Sequence, residues 1–425
     1  MDILFIADFC GGLDGQGNNR FLYLANMLCK EHEVEILTSD FNHGKKAYFL
    51  DLPSDFPFKI TMVHEGQYRK NVSLRRLYGH WIWAKNVQRY LDARKKPDIV
   101  YAAVPPLMAA YLAAKYCENN GIRFIIDIQD LWPEAFKTAL QVPIISSILL
   151  APFHFLANGI YKHADKVIAV SNTYVSRAVQ ANIKCKSGLT VFLGTELKTF
   201  DKNVRENAIA GLNDVKPEYC GRLPADNKGS ANGQVVKQKD EVWIAYIGNL
   251  GNNYDLDIVF SALRKVNDGK LKFIVMGDGE RKKAFEKNAE GLNCVFTRRL
   301  PYSQMCGMLA ACDIAVNPIR KGSCQSIINK HADYAAAGLP VLNTQECVEY
   351  KELVDSYHMG FNCECENAED LADKLRILAN DEKLREEMGK NARQCAEDWF
   401  DRGKTYRLIC KAIVDYSGAV KPPVR

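Results

Sequence analysis

Short apolar runs recur along the first two hundred residues, and most are followed by a segment of helical period. Runs at 3–7, 34–38, 59–63, 99–102, 124–128, 167–170 and 190–193 read as strands. Between the first two, Phe21, Leu24, Ala25 and Leu28 fall on one face of a helix, and residues 107–119 form another helical stretch. Alternation of this kind predicts a parallel sheet covered by helices on both faces. After Glu196 the pattern lapses, and 203–240 is rich in Gly, Pro, Asn, Lys and Asp without apolar periodicity, as expected of a linker and insertion. The alternation restarts with runs at 242–246, 273–276, 295–296, 314–316 and 341–342. From Glu382 to about Tyr416 the chain reads as helical, and the end, with Pro422 and Pro423, as frayed. The expected layout is an α/β protein of two Rossmann-like, doubly wound domains facing a central cleft: 1–200, a linker or insertion at 201–240, 241–381, and a helical segment at 382–425.

Composition narrows the class without changing that picture. A chain of 425 residues, 47% hydrophobic and 25% charged, suits two well-packed cores. A net charge of +5 gives no footing for nucleic acid, which is not expected as a partner. Between Arg69 and Lys96, however, Arg75, Arg76, Lys85, Arg89 and Arg94 are interleaved with Tyr78, Trp81, Trp83 and Tyr90. This is either a solvated helical face with aromatics turned inward or a surface for anionic lipid headgroups. The apolar stretch 142–161 is interrupted by Pro152, His154 and Asn158, so it reads as a buried helix or an edge dipping into a membrane interface rather than a span. Fourteen scattered cysteines, none spaced Cys-x-x-Cys, suggest a reducing compartment and no structural metal. The chain opens directly on a strand without the flanks of a signal peptide, so a cytoplasmic location is expected, peripheral to the membrane if the basic face is used.

In open α/β sheets ligands sit outside the carboxyl ends of the strands, so the segments after the strands are the places to look for chemistry. The turn Gly11-Gly12-Leu13-Asp14-Gly15-Gln16-Gly17 either admits a phosphate to its amides or is simply a tight turn. It lacks the Gly-x-Gly-x-x-Gly of a dinucleotide site, and no P-loop is present. Asp127, Asp130 and Glu134 follow the run at 124–128 and are placed to orient or deprotonate a hydroxyl, unless Asp130 caps a helix that Pro133 begins. Gly248-Asn249-Leu250-Gly251 suits a diphosphate cradle, and Gly277 repeats the arrangement one strand later. In 320–340, Arg320, Lys321 and Lys330 gather positive charge, with Gln325 and Asp333 as polar partners. A helix at 327–337 would aim its N-terminus and these cations at a nucleotide diphosphate, and Asp333 at ribose or sugar hydroxyls. No Ser-His-Asp or Cys-His arrangement stands out.

Taken in order, these motifs resemble the retaining glycosyltransferases of family 4, of GT-B fold, in the bacterial subgroup that builds surface polysaccharides such as capsule, O-antigen and exopolysaccharide. That family carries Glu, seven residues and Glu ahead of Ala-x-Gly-x-Pro. Here Ala336-Ala337-Gly338-Leu339-Pro340 puts Asp333 on the second Glu and Gln325 on the first. Lys330 to Tyr334, Asp130 to Pro133 and Gly248 to Gly251 match the subgroup's Lys-x-x-Glu-Tyr, Asp-Leu-Trp-Pro and Gly-Asn-Ile/Leu-Gly. The chain departs from the family in lacking the Arg and Lys that many members place after the first strand of the second domain.

The resemblance implies retaining, metal-independent hexosyl transfer from a nucleotide sugar, a UDP-sugar by preference, to a saccharide acceptor, lipid-linked in the subgroup, with no cofactor. It assigns Asp130, Lys330, Gln325 and Asp333 to catalysis. The donor would be held by Gly248, Asn249, Gly251, Gly277, Arg320, Lys321 and Ser326. Gly12, Asp14, Gly15, Gly17 and Glu134 would line the acceptor side, and the helical C-terminus would cross back to the first domain. Gln325 for Glu and the missing cation pair leave a non-catalytic partner subunit as an alternative, and a nucleotide-sugar epimerase on the same fold as another.

Overall fold

Ile3, Leu4, Phe5 and Ile6 are buried on both faces of the first strand, the mark of a parallel strand covered from two sides. The computed structural model describes residues 1–13, 19–50, 55–71, 73–136, 143–207, 237–323 and 325–415. They form two compact units, one of Met1–Phe192 joined by the chain from Lys404 onward, the other of Leu193–Gly403.

Unit 1 runs β1 (Asp2–Ile6), α1 (Arg20–Leu28), β2 (Glu33–Ser39), a small hairpin of β3 (Phe41–Asn42) and β4 (Ala47–Tyr48), β5 (Lys59–Val63), α2 (Leu74–Ala93), β6 (Ile99–Val104), α3 (Leu107–Asn120), β7 (Arg123–Ile128), α4 (Pro143–His163), β8 (Lys166–Ala169), α5 (Asn172–Ala181) and β9 (Leu189–Thr190). Its seven-stranded sheet has the order β5-β2-β1-β6-β7-β8-β9, every pairing parallel. The chain leaves β1 in one direction and returns to its other side as β6. The carboxyl ends of β1 and β6 therefore flank a topological switch point, where such sheets open a crevice.

Unit 2 runs α6 (Leu197–Glu206), β10 (Val242–Asn249), α7 (Leu256–Val266), β11 (Leu271–Asp278), α8 (Lys282–Asn288), β12 (Cys294–Phe296), α9 (Tyr302–Ala310), β13 (Ile314–Asn317), α10 (Asn329–Ala336), β14 (Val341–Asn343), α11 (Val348–Tyr357), β15 (Gly360–Asn362), α12 (Ala368–Asn380) and α13 (Glu382–Cys395). The sheet order β12-β11-β10-β13-β14-β15 is again all parallel, with its switch point between β10 and β13.

The expected fold class is therefore the observed one. The strands that the apolar pattern does not announce are short: β15 offers one large apolar residue, Phe361, and the hairpin strands have two residues each. Of the segment expected to return to the first domain, α13 instead packs within unit 2. Gly389 sits so close to the 336–340 turn that a Cβ there would lie 2.4 Å from the Gly338 carbonyl oxygen, and Arg393 Nη1 donates to the Ala336 carbonyl at 3.0 Å. The chain rejoins unit 1 only at Lys404, inside α14 (Arg402–Val414). In unit 1, Tyr406, Ile409 and Ile413 belong to the same core as Ile3 and Phe5.

Asp127 is not a cleft carboxylate. It is buried in β7, where Arg20 grips it through Nε at 2.7 Å and Nη2 at 3.1 Å and Tyr101 donates its hydroxyl at 2.7 Å. Arg20 Nη1 also holds the Val191 carbonyl at 2.9 Å, so one buried cation ties α1, β7 and the segment after β9 together.

At the carboxyl ends of β10 and β11, Gly277 lies opposite Gly248, and a Cβ on Gly277 would meet the Gly248 carbonyl oxygen at 1.9 Å. Gly277→Ala is expected to cost about 1–3 kcal/mol through overpacking against backbone. Its thermal midpoint should fall measurably below that of Gly269→Ala, whose added Cβ meets nothing within 4 Å.

Candidate active site

In unit 2 the chain leaves β10 through Gly248, which takes φ +134°, and is then pinned by backbone bonds from Leu250 N to the Asp278 carbonyl and from Arg281 N to the Leu250 carbonyl, both 2.9 Å. Across the switch point, Asp255 N donates to the Pro318 carbonyl at 2.8 Å and Arg320 N to that of Asn253 at 3.1 Å, so the loops after β10 and β13 are zipped together. Lys330, in the first turn of α10, reaches beneath this loop. Its Nζ lies 4.5 Å and 4.1 Å from the ring centres of Tyr246 and Tyr254 and would be 3.7 Å from a Cβ on Gly248. The ammonium is buried and has no hydrogen-bond partner among the described residues. Burial pushes its pKa down to about 7, while the two ring faces favour the cation.

A ladder of amides supports this site. Asn317, Asn343 and Asn362 stand in register at the carboxyl ends of β13, β14 and β15. Asn317 Nδ2 donates to Asn343 Oδ1 at 2.8 Å, and Asn343 Nδ2 to Asn362 Oδ1 at 2.9 Å. Buried His331 accepts the Ile328 N–H at Nδ1, 2.9 Å, which leaves Nε2 to donate to Gln345 Oε1, also 2.9 Å. Burial and the Lys330 charge hold the His331 pKa down to about 3, so the ring stays neutral in this role. Gln345 Nε2 in turn donates to the carbonyls of Gln325 and Ser326 at 2.7 and 3.0 Å. The turn that precedes α10 is thus fixed from below by residues whose only trace in the sequence is polarity at strand ends.

The other expected donor residues are distributed unevenly. Gln325 keeps a buried Oε1 with no hydrogen-bond partner, while the Ser326 hydroxyl is buried against its own chain. Asn249 accepts the Tyr246 hydroxyl at its carbonyl, 2.7 Å, and Gly251 is buried beside its side chain. Arg320 is turned to Asp255 and Asp257, 3.9 Å from each, and Lys321 is exposed. Asp333, expected at ribose or sugar hydroxyls, is instead engaged within unit 2. Tyr302 donates to it at 2.9 Å, with Thr195 behind at 2.6 Å from the Tyr302 oxygen. Burial raises the carboxyl to about 6, against the pull of Tyr302 and Arg402.

Unit 1 has a crevice at its own switch point, a pocket of about 240 Å3 lined by Phe9, Arg76, Gln129, Asp130 and Trp132 among others. Asp130 does not cap a regular helix. Its oxygens accept from Leu131 N at 2.9 Å and Trp132 Nε1 at 3.0 Å, and burial raises its pKa. Glu134 is held away by Arg177 at 2.7 Å. Gly12 sits at φ +82° in the turn after β1, whereas Asp14, Gly15 and Gly17 lie outside the described residues.

Sequence reading missed a buried cluster behind this pocket. His80 Nδ1 lies 3.2 Å from Asp8 and 3.0 Å from Glu65, a donor set of the kind that binds metals. Arg76 Nε, however, donates to His80 Nε2 at 3.0 Å. A cation on Nδ1 would require the proton on Nε2, where the guanidinium leaves no room for it. The ring therefore takes Arg76 at Nε2 and turns Nδ1 toward the two carboxylates, and burial lifts Asp8 to about 7.

Residues 17–186 match the family model "Glycosyltransferase Family 4", and residues 228–395 match "Glycosyl transferases group 1". The chain carries the two domains of a GT-B glycosyltransferase. The first domain falls in unit 1 and the second in unit 2. The chain is 23% identical to the sulfoquinovosyl transferase SQD2 of Arabidopsis thaliana over 320 residues, 74% of this chain and 56% of that protein. It is 29% identical to the probable glycosyltransferase WbjE of Pseudomonas aeruginosa over 276 residues, 63% of each. Both matches span less than two thirds of the relative's length. The crystal structure of Anabaena Alr3699/HepE in complex with UDP-glucose is similar with a TM-score of 0.65 and 15% identity, over 96% of this chain and 98% of that one, a likeness of fold.

Two stability tests follow from the group 1 domain. Gln345→Leu strands the His331 donor and the carbonyls of Gln325 and Ser326 and is expected to cost about 1–3 kcal/mol in chemical denaturation. For Lys330 the folded pKa lies below the unfolded one, so its charge costs stability below pH 10.5, and fully so below about 7. Lys330→Met should therefore be more stable than the parent protein at pH 6, with the advantage shrinking as pH rises from 7 towards 10.

Proposed function

We propose that the protein transfers a hexosyl unit, with retention and without a metal, from a UDP-sugar to a saccharide acceptor. The observation that carries this reading is the buried, unpartnered ammonium of Lys330 under the Gly248 turn at a switch point. A diphosphate lodged there would meet Lys330, the backbone of Gly248 to Gly251 and the close-packed Gly277. Its developing charge on departure would be stabilised in place by the cation and the loop amides. Gln325, with an unoccupied Oε1 on the pinned turn, is assigned to the donor sugar, and Asp333 to support of α10. Asp130 and the turn at Gly12 are assigned to the acceptor side in unit 1. The HepE complex with UDP-glucose supports a uridine nucleotide, and the domain families support transfer.

We assign the acceptor to a lipid carrier in bacterial surface-polysaccharide synthesis, reached from the cytoplasmic side. Support comes from α2, which buries Trp83, Val87 and Leu91 yet exposes Leu74, Leu77, Tyr78 and Trp81 beside Arg75 and Lys85. On α4, Ile148, Leu149 and Phe155 are exposed as well. Among the described residues no helix is long and apolar enough to cross a membrane. An interfacial face of this kind should bind anionic vesicles at low salt and release them as salt rises.

The test is incubation with a panel of UDP- and GDP-sugars and a lipid-linked acceptor extract, with the anomeric configuration of the product read by NMR. Lys330→Met is expected to lower kcat/KM by about 100-fold or more. Epimerised donor without acceptor, or transfer undiminished in that variant, would overturn the reading. Because Lys330 titrates near 7 when the site is empty, UDP binding at pH 8 should take up a proton and at pH 6 should not. Calorimetry in buffers of different ionisation enthalpy reads this directly.

A further inference from the structure

The pocket at the switch point of unit 1 is walled by aromatic rings and holds a guanidinium with no direct ion pair among the described residues. Arg76 projects from α2 between three ring faces, its Cζ 5.0 Å from the centre of Trp132, 5.6 Å from Phe9 and 5.7 Å from Tyr68. A second cation shares the Tyr68 ring: Lys46 Nζ stands 4.8 Å from its centre and 2.5 Å from Asn71 Oδ1. Neither forms an ion pair among the described residues. The carboxylates that might have served are committed elsewhere. Glu65 takes Ser39 at 2.7 Å and faces His80, and Asp130 takes Leu131 N and Trp132 Nε1.

The two cations leave a mark on their neighbours. His43, which lines the pocket and sits 2.6 Å from the Tyr68 hydroxyl, is pushed down to about 3 by burial and then by the charges of Lys46 and Arg76. Lys46 is itself lowered to about 8 by burial and by Arg76. Lys46 also occupies the left-handed region, φ +55°, at the end of the β3–β4 turn, a conformation that Gly or Asn takes at lower cost. Gln129, which also lines the pocket, keeps a buried Nε2 with no hydrogen-bond partner among the described residues. The pocket thus offers a guanidinium and an amide donor beside an indole that a ring can lie against, with the Lys46 ammonium next to it, 3.3 Å from His43 Nδ1.

We infer that this pocket binds the phosphate group of a phosphorylated acceptor, through Arg76 and Gln129 with the Lys46 charge in support from beside His43, and with the adjoining sugar ring against Trp132 and Phe9. Two cations and a free amide suit a phosphate dianion or diphosphate better than a neutral sugar, and Arg76 is preset for the task. His80 accepts its Nε while Nδ1 of the same ring faces Asp8 and Glu65, so the guanidinium is aimed before any ligand arrives. The assignment of the bound group to an acceptor rests on the function proposed above; the anion site does not. A lipid-borne phosphate and a soluble sugar phosphate share this chemistry.

The test is calorimetric titration of the full chain, saturated with UDP so that the site in unit 2 is filled, with glucose 1-phosphate, glucose and glucuronate. Glucose 1-phosphate should bind, glucose should not, and Arg76→Gln should weaken binding by about 10-fold or more. Lys46→Asn removes the charge with a residue suited to its backbone, and should weaken it similarly while leaving UDP affinity unchanged. Equal binding of glucose and glucose 1-phosphate, preference for glucuronate, or indifference to both substitutions would overturn the subsite. Failure of the parent protein to bind UDP would instead count against the proposed function. Displacement of glucose 1-phosphate by vesicles bearing a polyprenyl-diphosphate saccharide, but not by plain vesicles, supports a lipid source. Binding without such displacement supports a soluble one.

Discussion

Lys330 keeps its ammonium 4.1 Å from the ring centre of Tyr254 and 4.5 Å from that of Tyr246, out of water and with no anion beside it. Desolvating a charge without pairing it is among the more costly arrangements a fold can hold. Two ring faces offset part of that cost and the rest stays in the protein. The surroundings are built to sustain it: a loop of glycines that lets backbone approach closely, a zipped pair of loops after β10 and β13, and an amide ladder that fixes the start of α10. An arriving diphosphate would supply the missing charge, so the strain of the empty state becomes affinity and orientation in the filled one.

Unit 1 handles its buried charge by two other routes. Arg20 and Asp127 neutralise each other in a bidentate pair inside the sheet layer, and the carbonyl of Val191 and the hydroxyl of Tyr101 complete their bonding. That pair serves structure. Arg76 is charged but only indirectly balanced, since two carboxylates reach it through the imidazole of His80. One fold thus places a spent cation in its core and an unspent one at its switch point, and the difference marks which of the two faces a ligand.

Much of the architecture was legible before any coordinates. Apolar runs of strand length spaced by helical segments lead to two doubly wound sheets, because parallel strands covered on both faces must be apolar throughout. The glycine turn at Gly248 and the Ala336 to Pro340 turn were visible for the same reason, each a local demand written in composition; most of the insertion expected at 201–240 lies outside the described residues, and its start belongs to the helix α6. What escaped were short edge strands such as β15, with a single large apolar residue, and the extent to which α13 belongs to unit 2, which rests on the close approach of Gly389 to Gly338.

The site divides along the same line. Residue types and their order by themselves determined the fold class and the strand-end positions of the candidate chemistry, and singled out Lys330 as a candidate, since these depend on local spacing. Only the tertiary structure decided that Asp127 is buried against Arg20, that Asp333 is taken by Tyr302, that Arg320 turns to Asp255 and Asp257, and that Arg76 and Gln129 meet at one pocket with Lys46 beside it. Arg76 and Gln129 stand 53 positions apart along the chain. No periodicity links them, because the crossover order of a parallel sheet, not sequence distance, chooses which strand ends become neighbours.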